Sequence, residues 1–344
     1  MRVRVLLTGV TGFAGSHLAE FITARQSDVA LYGTYRWRSR LDNLDDLAAA
    51  GMLDVIEGAP PAQGVDPRIG RLTLLECDLG DPFAIERVVA AVRPDRVFHL
   101  AAQSFVPASF AAPAATFSTN VLGELYLLEA LRKHAPAARV LIAGSSEEYG
   151  AVRPEELPVA ETNELRPLSP YAVSKVAQDR LGWQYHRSYG MHVVITRAFN
   201  HTGPRRGEVF AESSFARQIA EIELERRPPI VRVGDLSSQR DWHDVRDTVR
   251  AYWLALEMGQ PGEVYNIGSG ESRPVRDVLQ TLLRLSGSSV TVEEDPARLR
   301  PSDVPILCAD ATKFRQRSGW APAIPLERTL ADLLDWWRAR MRKR

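Results

Sequence analysis

Tyr171 and Lys175 stand four residues apart in Ser169-Pro170-Tyr171-Ala172-Val173-Ser174-Lys175. On a helix that spacing puts a phenol and an ammonium on one face, about one turn apart. A cation there favours the phenolate, so a phenol whose reference pKa is about 10 becomes a usable acid and base. The spacing alone is common. It gains weight from Ser145-Ser146-Glu147, a hydroxyl and carboxylate cluster, and from the glycine loop Gly9-Val10-Thr11-Gly12-Phe13-Ala14-Gly15.

These groups need a scaffold that brings them together. Val3 to Leu7 is a short apolar run leading into the glycines, and Ser16 to Ala24 has helical periodicity, so the loop joins a strand to a helix. Further strands are predicted at Val29 to Tyr35, Leu72 to Leu75, Arg96 to Leu100, Val140 to Ala143 and His192 to Thr196, with helices at Asp81 to Val92 and Asn120 to His134. Strands alternating with helices imply an α/β fold, a Rossmann-type doubly wound parallel sheet covered on both faces. Such sheets bind ligands at the carboxyl ends of their strands, where every one of these motifs falls. After Asn200 the rhythm changes: helices are expected around Ser214 to Glu225, Asp247 to Leu256 and Leu326 to Arg340, with a late strand at Val264 to Ile267. This predicts a smaller, interwoven C-terminal lobe. Residues 1–199 with 232–268 would form the cofactor-binding domain, and 200–231 with 269–344 the substrate-binding lobe.

The glycines let the backbone turn tightly against a pyrophosphate, whose charge sits on the helix N-terminus. Gly9, Gly12, Phe13 and Gly15 are therefore candidate cofactor contacts, as are Asp78, Leu79, Leu100 and Ala102 at later strand ends. Cofactor choice is usually made at the end of the second strand, where an acid holds a ribose hydroxyl and arginine accommodates a 2′-phosphate. This chain has Tyr35-Arg36-Trp37-Arg38-Ser39-Arg40 and no acid before Asp42. NADP is the expected cofactor, with Arg36 and Arg38 on the phosphate.

Composition narrows the function class. The 344 residues are 45% hydrophobic and 25% charged, with 43 basic and 43 acidic side chains. That balance argues against nucleic acid or a membrane surface as the main partner. Cys77 and Cys308 have no metal or redox spacing, and His17, His99 and His201 have no metal spacing either, so no metal is expected. The first residues read as a strand rather than a signal peptide, and a cytoplasmic location is expected.

Together the glycine spacing, the Tyr-x-x-x-Lys pair and the serine cluster resemble the extended short-chain dehydrogenase/reductases. Within them the chain resembles enzymes of GDP-mannose and its 4-keto-6-deoxy product. The resemblance is carried by Ala101-Ala102-Gln103-Ser104-Phe105-Val106, Ser145-Ser146-Glu147-Glu148-Tyr149-Gly150, Phe199-Asn200-His201, Arg240-Asp241-Trp242 and Arg300-Pro301-Ser302-Asp303-Val304. It implies a GDP-linked hexose as substrate, with Ser104, Ser146, Asn200, Arg205, Arg240, Arg300 and Asp303 in contact with it. It also implies a homodimer or homotetramer. Arginines suit a diphosphate bidentately. The chain departs from the dehydratases at Thr202-Gly203-Pro204, which is closer to the reductases, and at Ser214, where dehydratases carry a lysine.

Two reactions use the same core. In the dehydratase, Tyr171 is the base at the C4 hydroxyl, Lys175 depresses its pKa and holds the ribose, and Ser145 hydrogen-bonds O4. Glu147 then takes the C5 proton as water leaves C6. The reductase runs only the first machinery backward and needs no glutamate. Glu147 thus favours GDP-mannose 4,6-dehydratase, with the GDP-4-keto-6-deoxy-mannose reductase as alternative. A catalytically silent cofactor-sensing protein would have lost the tyrosine, lysine or serine, and all three are present.

Overall fold

Each apolar run forms a strand in the computed structural model, which describes residues 3–26, 28–61, 63–66, 68–299 and 304–343. In chain order they are β1 (Val3–Thr8), β2 (Val29–Tyr35), β3 (Leu53–Ile56), β4 (Leu72–Glu76), β5 (Arg96–His99), β6 (Arg139–Ser145) and β7 (His192–Ala198). The second half adds β8 (Asn200–Thr202), β9 (Ile230–Val233), β10 (Gln239–Asp244), β11 (Val264–Ile267), β12 (Ser272–Pro274), β13 (Thr291–Glu294) and β14 (Ile306–Leu307). The large sheet has eight strands in the order β11-β7-β6-β5-β1-β2-β4-β3, and every pair in it is parallel. Leu6 at its centre faces Tyr32 on one side and Val97 on the other.

Parallel strands require crossover helices, so both faces are covered. Helices Phe13–Arg25 and Val245–Met258 close one face over Val5, Leu7 and Leu31. Helices Pro82–Val92, Gly123–His134 and Pro170–Tyr189 close the other over Leu6, Val97 and Ile142. Burying one such aliphatic side chain stabilises the fold by roughly 2 kcal/mol. Strand order reverses between β1 and β5, and at that switch point a crevice opens beyond the strands' carboxyl ends.

The C-terminal lobe packs helices Ala211–Glu223, Val275–Ser286 and Leu326–Arg342 on β9 around Phe215, Leu282 and Leu334. Trp337 is buried there, and its indole donates to Ser213 Oγ at 2.9 Å. Residues 232–268 contribute to more than one sheet. β10 pairs with β8, β12 and β14 in a small sheet, whereas the helix after it and β11 belong to the large sheet's layers. Two arginines near the end of the last helix are partnered. Arg338 makes a fork onto Glu223, and Arg340 pairs with Asp42 after β2. Among the described residues no helix is long and apolar enough to cross a membrane.

Candidate active site

The crevice is a cleft of about 540 Å³ into which the ends of β1, β2, β4, β5, β6 and β7 all open. Its floor is the glycine loop. Gly9 has φ +75°, and a Cβ there would lie 2.8 Å from the Ala101 backbone. A Cβ on Gly15 would lie 2.1 Å from Gly9 O, so only glycine lets the helix Phe13–Arg25 start this close to β1. The result is a cradle of backbone at a helix N-terminus, which fits a dinucleotide's pyrophosphate.

Ser145 ends β6 and caps the short turn Ser146–Glu148. Its hydroxyl accepts from Glu147 N at 3.2 Å, while its own N–H donates to Glu148 Oε1 at 2.7 Å. This capping box fixes the serine and presents Glu147 beside it. Opposite runs the 20-residue helix Pro170–Tyr189, started by Ser169 Oγ accepting from Ala172 N at 3.0 Å and by proline in its first turn. Its buried stripe is Tyr171, Ser174, Lys175, Gln178, Asp179, Gly182 and Tyr185, a helical period that turns polar groups inward. The Tyr171 phenol faces the Ser145 side chain, which favours its ionised form, and the charge of Glu147 opposes it.

Burial dominates both the phenol and the ammonium. Lys175 Nζ donates to Ala143 O at 2.8 Å and lies 6.0 Å from the Tyr171 ring centre. Burial pushes the phenol well above its usual range; Glu147 and Glu148 raise it further, and Ser145 and Arg206 oppose. Burial also lowers Lys175 to about 8, against the pull of Glu124 and Glu148. Desolvation exceeds the charge effect because both groups lie within the packed helix face.

Glu124, on the neighbouring helix, is fully buried. One oxygen accepts from Gln178 Nε2 at 2.7 Å and the other has no partner among the described residues. Burial holds its carboxyl well above the usual carboxylate range. An acid raised on folding binds a proton that the unfolded chain releases, so its contribution to stability falls as pH rises above 4.5. Glu124→Gln keeps the Gln178 contact and removes that dependence. It is expected to be more stable than the parent at pH 8, with the gain shrinking toward pH 5. Urea midpoints at the two pH values check it.

Of the residues predicted for the cofactor, Gly9, Gly12, Phe13, Gly15, Arg36, Asp78, Leu79, Leu100, Ala102, Tyr171 and Lys175 line the cleft. Ser104, Ser145, Ser146, Glu147 and Asn200 line it with them. Arg38 does not; its guanidinium lies 4.3 Å from the exposed Trp37 ring. Arg240 is buried on β10, its Nη1 donating to Gln239 O, and is not among the lining residues. Arg300 and Asp303 lie outside the described residues.

Arg205 points away, and its neighbour Arg206 enters in its place. Arg205 has φ +71° and bonds Asp46 at 2.9 Å and Glu20, whose carboxylates capture it. Arg206 stacks on the Phe210 ring at 3.5 Å, pairs with Glu212 at 3.1 Å and lines the cleft. His201 bonds Phe199 O through Nδ1 and lines the cleft, stacked on Phe13. Burial lowers it to about 3, so it enters neutral. Tyr252, from the helix Val245–Met258, was not anticipated because nothing in that amphipathic segment marks it apart from core. Among the described residues no cluster could hold a metal ion.

Comparison with known proteins agrees with this geometry. The sequence model of the GDP-mannose 4,6 dehydratase family matches residues 6–333. A GDP-6-deoxy-D-mannose reductase of Pseudomonas aeruginosa is 32% identical over 344 residues, covering 100% of both chains. A GDP-mannose 4,6-dehydratase of Yersinia enterocolitica is also 32% identical, over 96% of this chain and 92% of its own. Among solved structures, RMD from Pseudomonas aeruginosa complexed with NADPH superposes with a TM-score of 0.81 at 29% identity, covering 98% of this chain and 99% of that one.

Proposed function

This chain belongs to the GDP-mannose 4,6-dehydratase family, and from that premise we propose that it converts GDP-mannose to GDP-4-keto-6-deoxy-mannose using bound NADP. The single observation that carries the reading is Glu147: it lines the same cleft as Ser145 and Tyr171, close enough for its charge to act on the phenol. Arg36, also in the cleft, supports NADP through a 2′-phosphate, as does the NADPH bound by the related RMD structure.

The chemistry that NADP supplies when bound is a reversible store for hydride. Tyr171 and Ser145 address the C4 oxygen and handle its proton. A C4 ketone acidifies the C5 proton, which the Glu147 carboxylate takes. That proton leaves with the C6 hydroxyl as water; the C5–C6 double bond left behind would take the stored hydride at C6 and a solvent-derived proton at C5, which restores the cofactor and gives the 4-keto-6-deoxy sugar. Lys175, anchored on Ala143 O, holds a cation behind the phenol.

A reductase acting on the 4-keto sugar is the second reading. It is favoured by the end-to-end match to the Pseudomonas aeruginosa reductase and by a phenol held protonated, ready to donate to a carbonyl. The test is purified protein with GDP-mannose and no added nicotinamide. The expected result is a 4-keto-6-deoxy product, with NADP as the dinucleotide released on denaturation. No product, but oxidation of NADPH when the 4-keto sugar is supplied, overturns the dehydratase in favour of the reductase.

A further inference from the structure

We propose that Glu148 and Arg197 are positioning residues that clamp the Ser145–Glu147 turn onto the helix bearing Tyr171 and Lys175. The inference rests on the reading above only in taking Ser145 and Glu147 as reacting groups. Glu148 is fully buried and uses both carboxylate oxygens: Oε1 accepts from Ser145 N at 2.7 Å and Oε2 from Arg197 Nε at 3.1 Å. Arg197 is as buried, and its Nη2 donates at 2.8 Å to Asp179, one turn beyond Lys175 on the same helix. Its Nη1 donates to Tyr149 Oη at 3.1 Å and to Glu161 O at 3.2 Å. Tyr149 in turn donates to Asn266 on β11 at 2.6 Å. One planar guanidinium thus fixes the distance and angle between the catalytic turn and the catalytic helix.

Two further facts separate this from ordinary core packing. A buried ionic cluster is a poor way to stabilise a fold, since apolar residues of similar volume usually do as well or better. Here it lies under a site where small displacements cost much rate. Gly144 is also shaped for it, because a Cβ there would lie 2.5 Å from Glu148 Oε1 and 2.7 Å from Thr196 O. The backbone of β6 leaves room for the Glu148 carboxylate to fold back onto Ser145.

The test is Glu148→Leu, with Arg197→Met and the double variant, read two ways. Amide hydrogen exchange at Ser145 and Glu147 needs no activity, and it is expected to accelerate by about tenfold or more in Glu148→Leu while the rest of the large sheet stays protected. In whichever of the two reactions the parent catalyses, kcat is expected to fall by about 30-fold or more with KM within about threefold, and the double variant to be no worse than the poorer single. If Glu148→Leu does not fold, Glu148→Gln keeps the shape and one acceptor, and the same exchange signature is expected at about half the logarithmic size. Unchanged exchange at Ser145, or a kcat within about threefold of the parent, overturns the clamp. A parent inactive in both reactions defeats the functional reading instead, and the exchange result still decides this one.

Discussion

Tyr171→Phe is expected to reduce kcat by about 10³-fold or more while changing stability by about 1 kcal/mol or less. The substitution removes one oxygen. The ring stays in the buried stripe of the helix Pro170–Tyr189, and the N-cap from Ser169 is untouched. What is lost is the phenol beside Ser145 at the end of β6, hence the group that exchanges a proton with the C4 oxygen. Ser145 remains a donor and cannot replace it, because an alkoxide is far less accessible than a phenolate. Steady-state kinetics in either reaction direction, beside a thermal melt, check the result. A loss below about tenfold would remove Tyr171 from the chemistry.

That this pair was legible from sequence reflects its short range. Tyr171, Lys175 and the Ser145–Glu147 turn each sit within one local element, so spacing alone determines which side chains share a face. The seven expected strands of the large sheet were legible for a similar reason: a parallel strand buried on both faces is a continuous apolar run. β3 was missed because it is the sheet's edge, half exposed and carrying Asp54, which pairs with Arg71 at 2.7 Å. β10 was missed because Gln239–Asp244 reads as polar, yet five of its six residues are buried. Its Asp241 is satisfied from afar, accepting from Ser269 N at 2.7 Å, Gly270 N at 2.9 Å and Ala309 N at 3.1 Å. No local pattern encodes a carboxylate paid for by loops this distant. Arg205 and Arg206 make the same point within the site. The positive φ at Arg205 and two carboxylates far off in sequence decide which arginine turns inward. The two side chains are indistinguishable by type and nearly so by position.

Glu147→Gln separates the two reactions that Tyr171 serves alike. Glutamine matches the carboxylate in shape but takes no proton, so removal of the C5 proton is expected to slow by about 10²- to 10⁴-fold. The turn itself should hold, since the contact at residue 147 that builds it is the backbone N–H to Ser145 Oγ. A dehydratase would therefore lose formation of the 4-keto-6-deoxy sugar, and in D₂O the C5 position would no longer acquire deuterium. A reductase has no proton to remove at C5, and its kcat should stay within about threefold of the parent. One change is expected in both cases. The Glu147 charge raises the Tyr171 phenol, so its removal should move the phenol downward. The basic limb of the pH–rate profile in the reductive direction would then shift to lower pH, because the phenol loses its proton earlier. That shift reports that Glu147 faces Tyr171, and the size of the kcat loss reports whether the carboxylate does chemistry there. If the limb shifts while 4-keto-6-deoxy product forms at the parent's rate, Glu147 is a neighbour of the acid and not the base at C5.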